Sequence, residues 1–238
     1  MNKWSGLKRF YKETSICDGS DGTYLVTLDD RLVKTPAGFN LGVPSRSLAK
    51  ALAKEWQIQG EIIDPSSMSL CKLAATAIDR VRTKRDEVIG ITLKIAETDL
   101  LCYRAIEPPD LVELQNIEWQ PELDWAKKEL GVDLAVTSGI LPIIQPESSL
   151  LALQEILCEL DEYKLMGVTN AAAAAGSLVL SLSMFNERLN ADILFEKSIV
   201  EEGYQMKKWG LDEEAVERHN IIRTDIQNSV HFLDLLKK

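Results

Sequence analysis

Tyr24-Leu25-Val26-Thr27-Leu28-Asp29-Asp30-Arg31-Leu32-Val33-Lys34-Thr35-Pro36-Ala37-Gly38 sets the character of the N-terminal part of the chain. Residues 24–28 are rich in β-branched, aromatic and aliphatic side chains, and Asp29-Asp30 is a turn signal. Arg31-Leu32-Val33-Lys34 alternates polar and apolar residues, as a half-buried strand does, and Thr35-Pro36-Ala37-Gly38 closes it with a second turn. Asn40-Leu41-Gly42-Val43 reads as the next short strand. Phe10-Tyr11-Lys12-Glu13 is a further candidate, ahead of the loop from Asp18 to Gly22. Short strands joined by tight turns predict an antiparallel meander. They exclude a βαβ nucleotide fold, whose parallel strands need a long crossover.

After Val43 the apolar period lengthens. Pro44-Ser45 opens a helix, with Ser45 placed to cap it, Leu48, Leu52 and Trp56 recurring on one face, and Gly60 ending it. Beyond Met68 the chain reads as helical almost throughout. Thr83 is the expected cap of a helix through Val88, Ile91, Ile95 and Leu100. Glu107-Pro108-Pro109-Asp110 breaks it and starts another through Leu114, Trp119, Leu123 and Trp125, with a kink or break expected at Pro121. Leu130 to Pro146 reads as extended. Further helices are expected at 147–166, 170–185, 190–209 and 212–236, with Gly167 and Gly210 as terminators. The apolar stretch from Ala171 to Phe185 is about 15 residues, short of the ~20 that a membrane span needs. Its small side chains suit a central helix that neighbours approach closely. The expected fold class is α+β: a small antiparallel β-rich domain over 1–66, then a larger all-helical domain over 67–238.

Composition narrows the function. The 238 residues carry 27 Lys and Arg against 37 Asp and Glu, a formal charge of −10. Such an acidic protein repels phosphate backbones and anionic lipid, so neither nucleic acid nor membrane insertion is expected; a basic or apolar protein surface suits it. Cys17, Cys71, Cys102 and Cys158 are widely spaced with no Cys-x-x-Cys, which argues against a zinc ribbon or a redox dithiol. Reduced thiols fit a cytosolic or matrix compartment. The start, Met1 to Arg9, lacks the apolar core of a secretory signal and the length of a transit peptide. The expected location is therefore a bacterial cytoplasm, or the mitochondrial matrix for a processed eukaryotic form.

Catalytic signatures are missing from the sequence. Gly19-Ser20-Asp21-Gly22 lacks the lysine of a phosphate loop, and there is no Gly-x-Ser-x-Gly. His219 and His231 fall twelve positions apart on one expected helix, unlike an i, i+4 metal pair, and read as surface or packing residues. No metal, cofactor or catalytic residue is expected, and no enzymatic activity. What stands out is five tryptophans, three of them beside an acid, as in Glu55-Trp56, Glu118-Trp119 and Asp124-Trp125. An acid next to an indole straddles a core boundary or rims a binding surface. In Val200-Glu201-Glu202-Gly203-Tyr204-Gln205-Met206-Lys207-Lys208-Trp209-Gly210, helical spacing puts Glu202, Gln205 and Trp209 along one face, with Glu201 turned about 100° away. That face suits a partner and suits packing on the next helix equally well.

These stretches form an ordered set with others. They are Arg9-Phe10-Tyr11-Lys12, Leu32-Val33-Lys34-Thr35-Pro36, Val43-Pro44-Ser45, Glu55-Trp56, Ala77-Ile78-Asp79-Arg80-Val81, Glu97-Thr98-Asp99-Leu100-Leu101-Cys102-Tyr103-Arg104 and Leu114-Gln115-Asn116-Ile117-Glu118-Trp119-Gln120-Pro121, then Glu201-Glu202 with Gln205 and Trp209-Gly210. Spread over nearly the whole chain, the set resembles the assembly chaperones of the ATP synthase catalytic head (the F-one ATPase), those that handle its alpha subunit. The resemblance implies a β-rich region followed by a helical one, with no catalysis and no cofactor. It implies binding of the unassembled alpha subunit, protection from aggregation, and release to pair with beta, by a protein that is a monomer when free. It singles out an acid in the Glu-Glu…Gln…Trp-Gly helix, best matched by Glu202 and next by Glu201, with Gln205 and Trp209 beside them. Trp56, Asp99, Arg104, Glu118 and Trp119 are family-motif positions with structural roles, Trp56 being expected to brace the two domains. Relatives often carry an acid where this chain has Gly203, a change that loosens the helix by about 1 kcal/mol relative to Ala. Two other readings stay open: a carboxylate-dependent hydrolase, with two acids of shifted pKa in a deep pocket, and a helical adaptor of another complex.

Overall fold

The computed structural model describes residues 4, 6–20, 22–139, 142–210 and 213–237. The strands are β1 (Thr14–Asp18), β2 (Tyr24–Leu28), β3 (Arg31–Leu32), β4 (Gly42–Val43), β5 (Tyr103–Arg104) and β6 (Thr137–Ser138). The helices are α1 (Arg46–Gln57), α2 (Ser69–Thr76), α3 (Arg85–Glu97), α4 (Pro109–Leu130), α5 (Glu147–Glu159), α6 (Glu162–Ala175), α7 (Leu178–Phe185), α8 (Ala191–Ser198), α9 (Val200–Trp209) and α10 (Glu213–Leu236). A small antiparallel strand region thus precedes a larger helical part, the α+β class expected. Among the described residues no helix is long and apolar enough to cross a membrane. Two compact units emerge: Met1–Arg85 with Asp161–Gly167 and His231–Lys238, and Asp86–Leu160 with Val168–Val230.

In the first unit β2 is the central strand. β1 pairs along one edge, Thr14↔Leu28 to Asp18↔Tyr24, while β3 and β4 share the other, at Thr27↔Leu32 and Tyr24↔Val43. Asp29 and Asp30 both take positive φ, 45° and 63°, the two-residue turn whose twist matches a hairpin. Phe10–Glu13 is not a strand. The Asp29 carboxylate accepts from the Lys12 and Glu13 amides at 3.0 and 2.9 Å, so these donors are already satisfied before pairing begins at Thr14. Ser45 caps α1 as expected, its Oγ accepting from Leu48 N at 3.3 Å, and its hydroxyl also donates to the Leu235 carbonyl. Leu48, Leu52 and Trp56 bury their face among Val26, Leu41 and Val43. The helix stops at Gln57, short of Gly60, where the Arg9 guanidinium takes the Gln57 and Gln59 carbonyls at 3.1 and 2.7 Å.

Two carboxylates tie the segment after residue 66 to this unit, which explains a compact boundary at Arg85. Glu55 accepts from the Leu70 and Cys71 amides at 2.9 and 2.8 Å, at the positive end of α2. Asp79, in a π turn over Ala77–Val81, accepts from the Thr35 hydroxyl and the Ala37 amide at 2.5 and 2.9 Å. Gly167 is not a terminator. It lies inside α6 beneath Leu233, where a Cβ would come within 2.7 Å of the leucine side chain, so bare backbone is what lets Leu233 close in.

Beyond α2 the Thr83 hydroxyl donates back to the Asp79 and Arg80 carbonyls at 2.7 and 3.3 Å, so it closes the preceding turn rather than capping α3. That helix ends at Glu97, and Leu100 falls in a separate 3-10 turn. α4 runs unbroken through Pro121, whose missing donor lies on an exposed face. The extended 131–146 stretch contains β6, paired in parallel with β5. Three expected helices are each two. One splits at Asp161, whose carboxylate takes the Tyr163 and Lys164 amides at 3.0 and 2.9 Å. Another splits at Gly176, where φ is +67° and Ser177 caps α7 through Leu180 N at 3.0 Å. The third splits at Ile199, between α8 and α9. Asp212, the first residue expected of the last helix, and Asp21, in the 18–22 loop, lie outside the described residues.

Asp99 is fully buried, and its carboxylate accepts from Leu101 N at 3.1 Å and Val179 N at 3.2 Å, capping the 3-10 turn and α7 together. Burial outweighs these bonds and pushes its carboxyl from 3.8 up to about 6. The folded pKa is raised, so stability from this group is complete below the unfolded value and is lost as pH rises through the folded one. Urea unfolding of wild type and Asp99→Asn between about pH 4 and about pH 7.5 should therefore show the wild type losing up to about 3 kcal/mol relative to the variant. A pH-independent difference would contradict the burial account.

Candidate partner-binding site

The motif residues of the second unit build a frame. Arg104 is buried, and its guanidinium donates to the Leu101 and Gln115 carbonyls, each at 2.8 Å, and to Asn116 Oδ1 at 3.3 Å. It also lies 5.3 Å from the centroid of the Trp119 ring. Trp119 is fully buried, and its indole N–H donates to the Lys197 carbonyl at 2.8 Å. Lys197 Nζ returns to α4, donating to the Glu118 carbonyl at 2.5 Å and carboxylate at 3.2 Å, with Glu122 Oε1 at 3.7 Å. The end of α8 is thereby fixed to α4, and α9 follows it immediately. Asp99, Arg104 and Trp119 are buried in this frame, and the Glu118 side chain stays partly exposed at its edge. Trp56 lies elsewhere, inside the first unit, edge-on to Trp4 and Tyr11 at 5.3 and 5.9 Å, with Tyr11 OH donating to its carbonyl at 2.6 Å.

The frame leaves one side of α9 open. Glu202 Oε2 lies 2.6 Å from Arg218 Nη2 and 2.6 Å from His219 Nε2, both on α10. Its side chain keeps 36% of its exposure and that of Arg218 keeps 58%, while His219 is buried with its ring edge-on to Phe195. Gln205 does not join Glu202. It is exposed and donates to Glu201 Oε1 at 3.4 Å. Trp209 is 72% exposed, with the Lys208 ammonium 5.8 Å from its ring. On the other side Tyr204 donates to Asp110 Oδ2 at 2.7 Å and accepts from Lys208 Nζ at 3.1 Å, which pins α9 to the first turn of α4. Nothing meets a Cβ placed at Gly203, so that glycine serves no packing need. The Glu202 partnership with His219 was not legible beforehand: the two sit on separate helices and no local spacing links them.

A half-exposed carboxylate thus stands between a solvent-facing arginine and a buried imidazole, one helix end away from an exposed indole. The family model of the ATP12 chaperone protein matches residues 8–127. The chain belongs to the ATP12 chaperone family. This is the ATP synthase assembly-chaperone family whose motifs its sequence carries. The chain is similar to the mitochondrial protein atp12 of Schizosaccharomyces pombe, 25% identical over 236 residues, covering 94% of this chain and 80% of that one. Its fold matches the crystal structure of Atp12 from Paracoccus denitrificans with a TM-score of 0.91 and 34% identity over 96% of this chain and 98% of that one. A protein of Agrobacterium tumefaciens matches at a TM-score of 0.89 and 32% identity over 97% of this chain and 85% of that one.

The Tyr204 hydroxyl, first among several causes, holds the Asp110 carboxyl below the usual aspartate range. Tyr204→Phe should raise the Asp110 titration toward the ordinary aspartate range with little change in melting temperature. Carbon-detected NMR of the carboxyl resonances reads this directly, and an unmoved midpoint would mean that the bond does not hold α9 in solution.

Proposed function

We propose that this protein binds the unassembled alpha subunit of the ATP synthase catalytic head, keeps it from aggregating, and releases it to pair with beta. The observation that carries the reading is the Glu202 carboxylate, half-exposed at 2.6 Å from an arginine that is itself mostly in solvent. Such a pair is easily exchanged: a basic or amide group on the client replaces Arg218, and the buried His219 keeps the carboxylate aimed. An unassembled ring subunit exposes apolar interface surface, and such patches drive association. A holdase has to cover that patch and still let go. A charged rim of moderate affinity suits the task, with no nucleotide and no catalytic step of its own. A bacterial cytoplasm, or a mitochondrial matrix in a processed form, is where that client is made or delivered, and the protein acts there as a monomer.

The hydrolase reading needs two perturbed acids facing one pocket. Among the described residues the acids whose carboxyls are pushed up, the partly buried Glu55 and the buried Asp99, belong to different units, and each is occupied by backbone amides. The adaptor reading differs in its client, a mature assembly rather than a free subunit. Pull-down from cells depleted of the beta subunit separates the two, because a chaperone enriches alpha.

Light scattering of alpha subunit diluted from denaturant, without ATP, tests the proposal. Suppression near one-to-one stoichiometry is expected. Glu202→Lys sets a second cation beside Arg218; it should fold, and should raise the concentration needed for half-protection about tenfold or more, the equivalent of about 1.4 kcal/mol of binding. Normal protection by the folded variant would remove Glu202 from the client site.

A further inference from the structure

We infer that the trough lined by Ile106, Pro109, Val112, Glu113, Asn116 and Ile117 seats an apolar client side chain flanked by lysine or arginine. The inference rests on the chaperone reading above and names a second contact on the same platform. Residues 109, 112, 113 and 116 recur at i, i+3, i+4 and i+7, so they form one face of α4, beside the face that buries Leu111, Gln115 and Trp119. The hollow measures about 540 Å³ and is open to solvent. Its two largest apolar walls, Ile106 and Ile117, are 68% and 60% exposed. Aliphatic side chains facing each other across an open hollow are a recurrent mark of a protein-binding site.

The walls are held rigid from behind. The Ala105 amide donates to Gln115 Oε1 at 2.7 Å, and Arg104 holds the Gln115 carbonyl and the Asn116 side chain. Ile106 lies over Gly139, whose φ of +89° and missing Cβ leave it room. A preformed hollow loses little freedom when filled, which favours binding.

Charge identifies the occupant. The exposed carboxylates of Glu107, Asp110 and Glu113 stand on or beside the trough, and none of the residues lining it is basic. The Tyr204 hydroxyl donates to the Asp110 carboxylate, and the nearby Lys208 ammonium is engaged by the same hydroxyl. A second acidic surface is repelled by this rim, and a bare apolar one leaves its carboxylates unanswered. A segment with one large aliphatic or aromatic residue between basic ones answers both features. Because Tyr204 pins α9 to this end of α4, Glu202 and the trough belong to one rigid support.

The experiment compares full-length wild type, Ile117→Asp and Glu113→Lys in the alpha-subunit scattering assay, with melting curves and sedimentation run in parallel. Both positions are on the surface, so wild-type melting is expected. The concentration for half-protection should rise about tenfold in Ile117→Asp and several-fold in Glu113→Lys, and protection by Glu113→Lys should depend less on salt. If wild type itself gives no protection, the chaperone reading fails. If wild type protects and the folded variants protect equally well, the trough inference fails alone. Should Ile117→Asp unfold, Glu113→Lys still decides the matter. A wild-type dimer that Ile117→Asp dissociates would make the trough a self-association face and overturn the inference.

Discussion

Arg104 carries a permanent positive charge into a buried position where no carboxylate among the described residues pairs with it. Burial draws its pKa down, and the cost is met by carbonyls: Leu101 and Gln115 at 2.8 Å, with side-chain amide oxygens and an indole face around them. A planar guanidinium with five donors imposes directions on all of these at once, which a lysine could not do. Leu101 is fixed after the turn that Asp99 caps, Gln115 and Trp119 are fixed along α4, and Trp119 passes the constraint to α8 through the Lys197 carbonyl. What reaches α9 is a rigid base. The surface beyond it is free to be acidic, half-exposed and poorly packed without loosening the unit.

That division of labour accounts for the composition of α9. The helix buries only Val200 completely and carries a glycine that no neighbour requires. Measured by its own contacts it is a weak helix. Its hold comes from its two sides, the Tyr204–Asp110 bond toward α4 and the Glu202–Arg218–His219 cluster toward α10. Attachment at its flanks keeps the outward face of α9 unencumbered, and on the proposed function a client displaces the solvent-facing partner without disturbing the buried one. An exposed ion pair stabilises a fold very little, so exchanging Arg218 for a client's basic group changes the fold's own free energy very little.

The sequence made those features legible that depend on neighbours in the chain. Asp29-Asp30 reads as a hairpin turn because only local φ is at stake, and Ser45 reads as a cap because its acceptor and the Leu48 amide lie within one turn. The same logic misread Thr83, whose hydroxyl had an equally local alternative in the carbonyls behind it. Gly167 looked like a helix end because glycine usually is one, while its purpose is to admit Leu233 from far along the chain. The end of α1 depends on Arg9, and the boundary at Arg85 on Glu55 and Asp79; each acts over a separation that periodicity cannot register. In the site, the row Glu202, Gln205, Trp209 was legible as a helix face. Its chemistry was not, because Gln205 turned to Glu201 and Glu202 took partners from another helix.

Net charge has a further consequence for how such a protein works on a hydrophobic client. Apolar patches associate without direction, and a holdase whose own surface were broadly apolar would join the aggregate it is meant to prevent. An acidic surface of formal charge −10 keeps copies of this protein apart and draws basic segments toward it. Apolar exposure is then spread over separate side chains, Trp209, Ile106 and Ile117 among them. On the proposed function, the carboxylates orient the encounter and the apolar contacts hold it, each small enough to yield to a partner subunit that buries the whole patch.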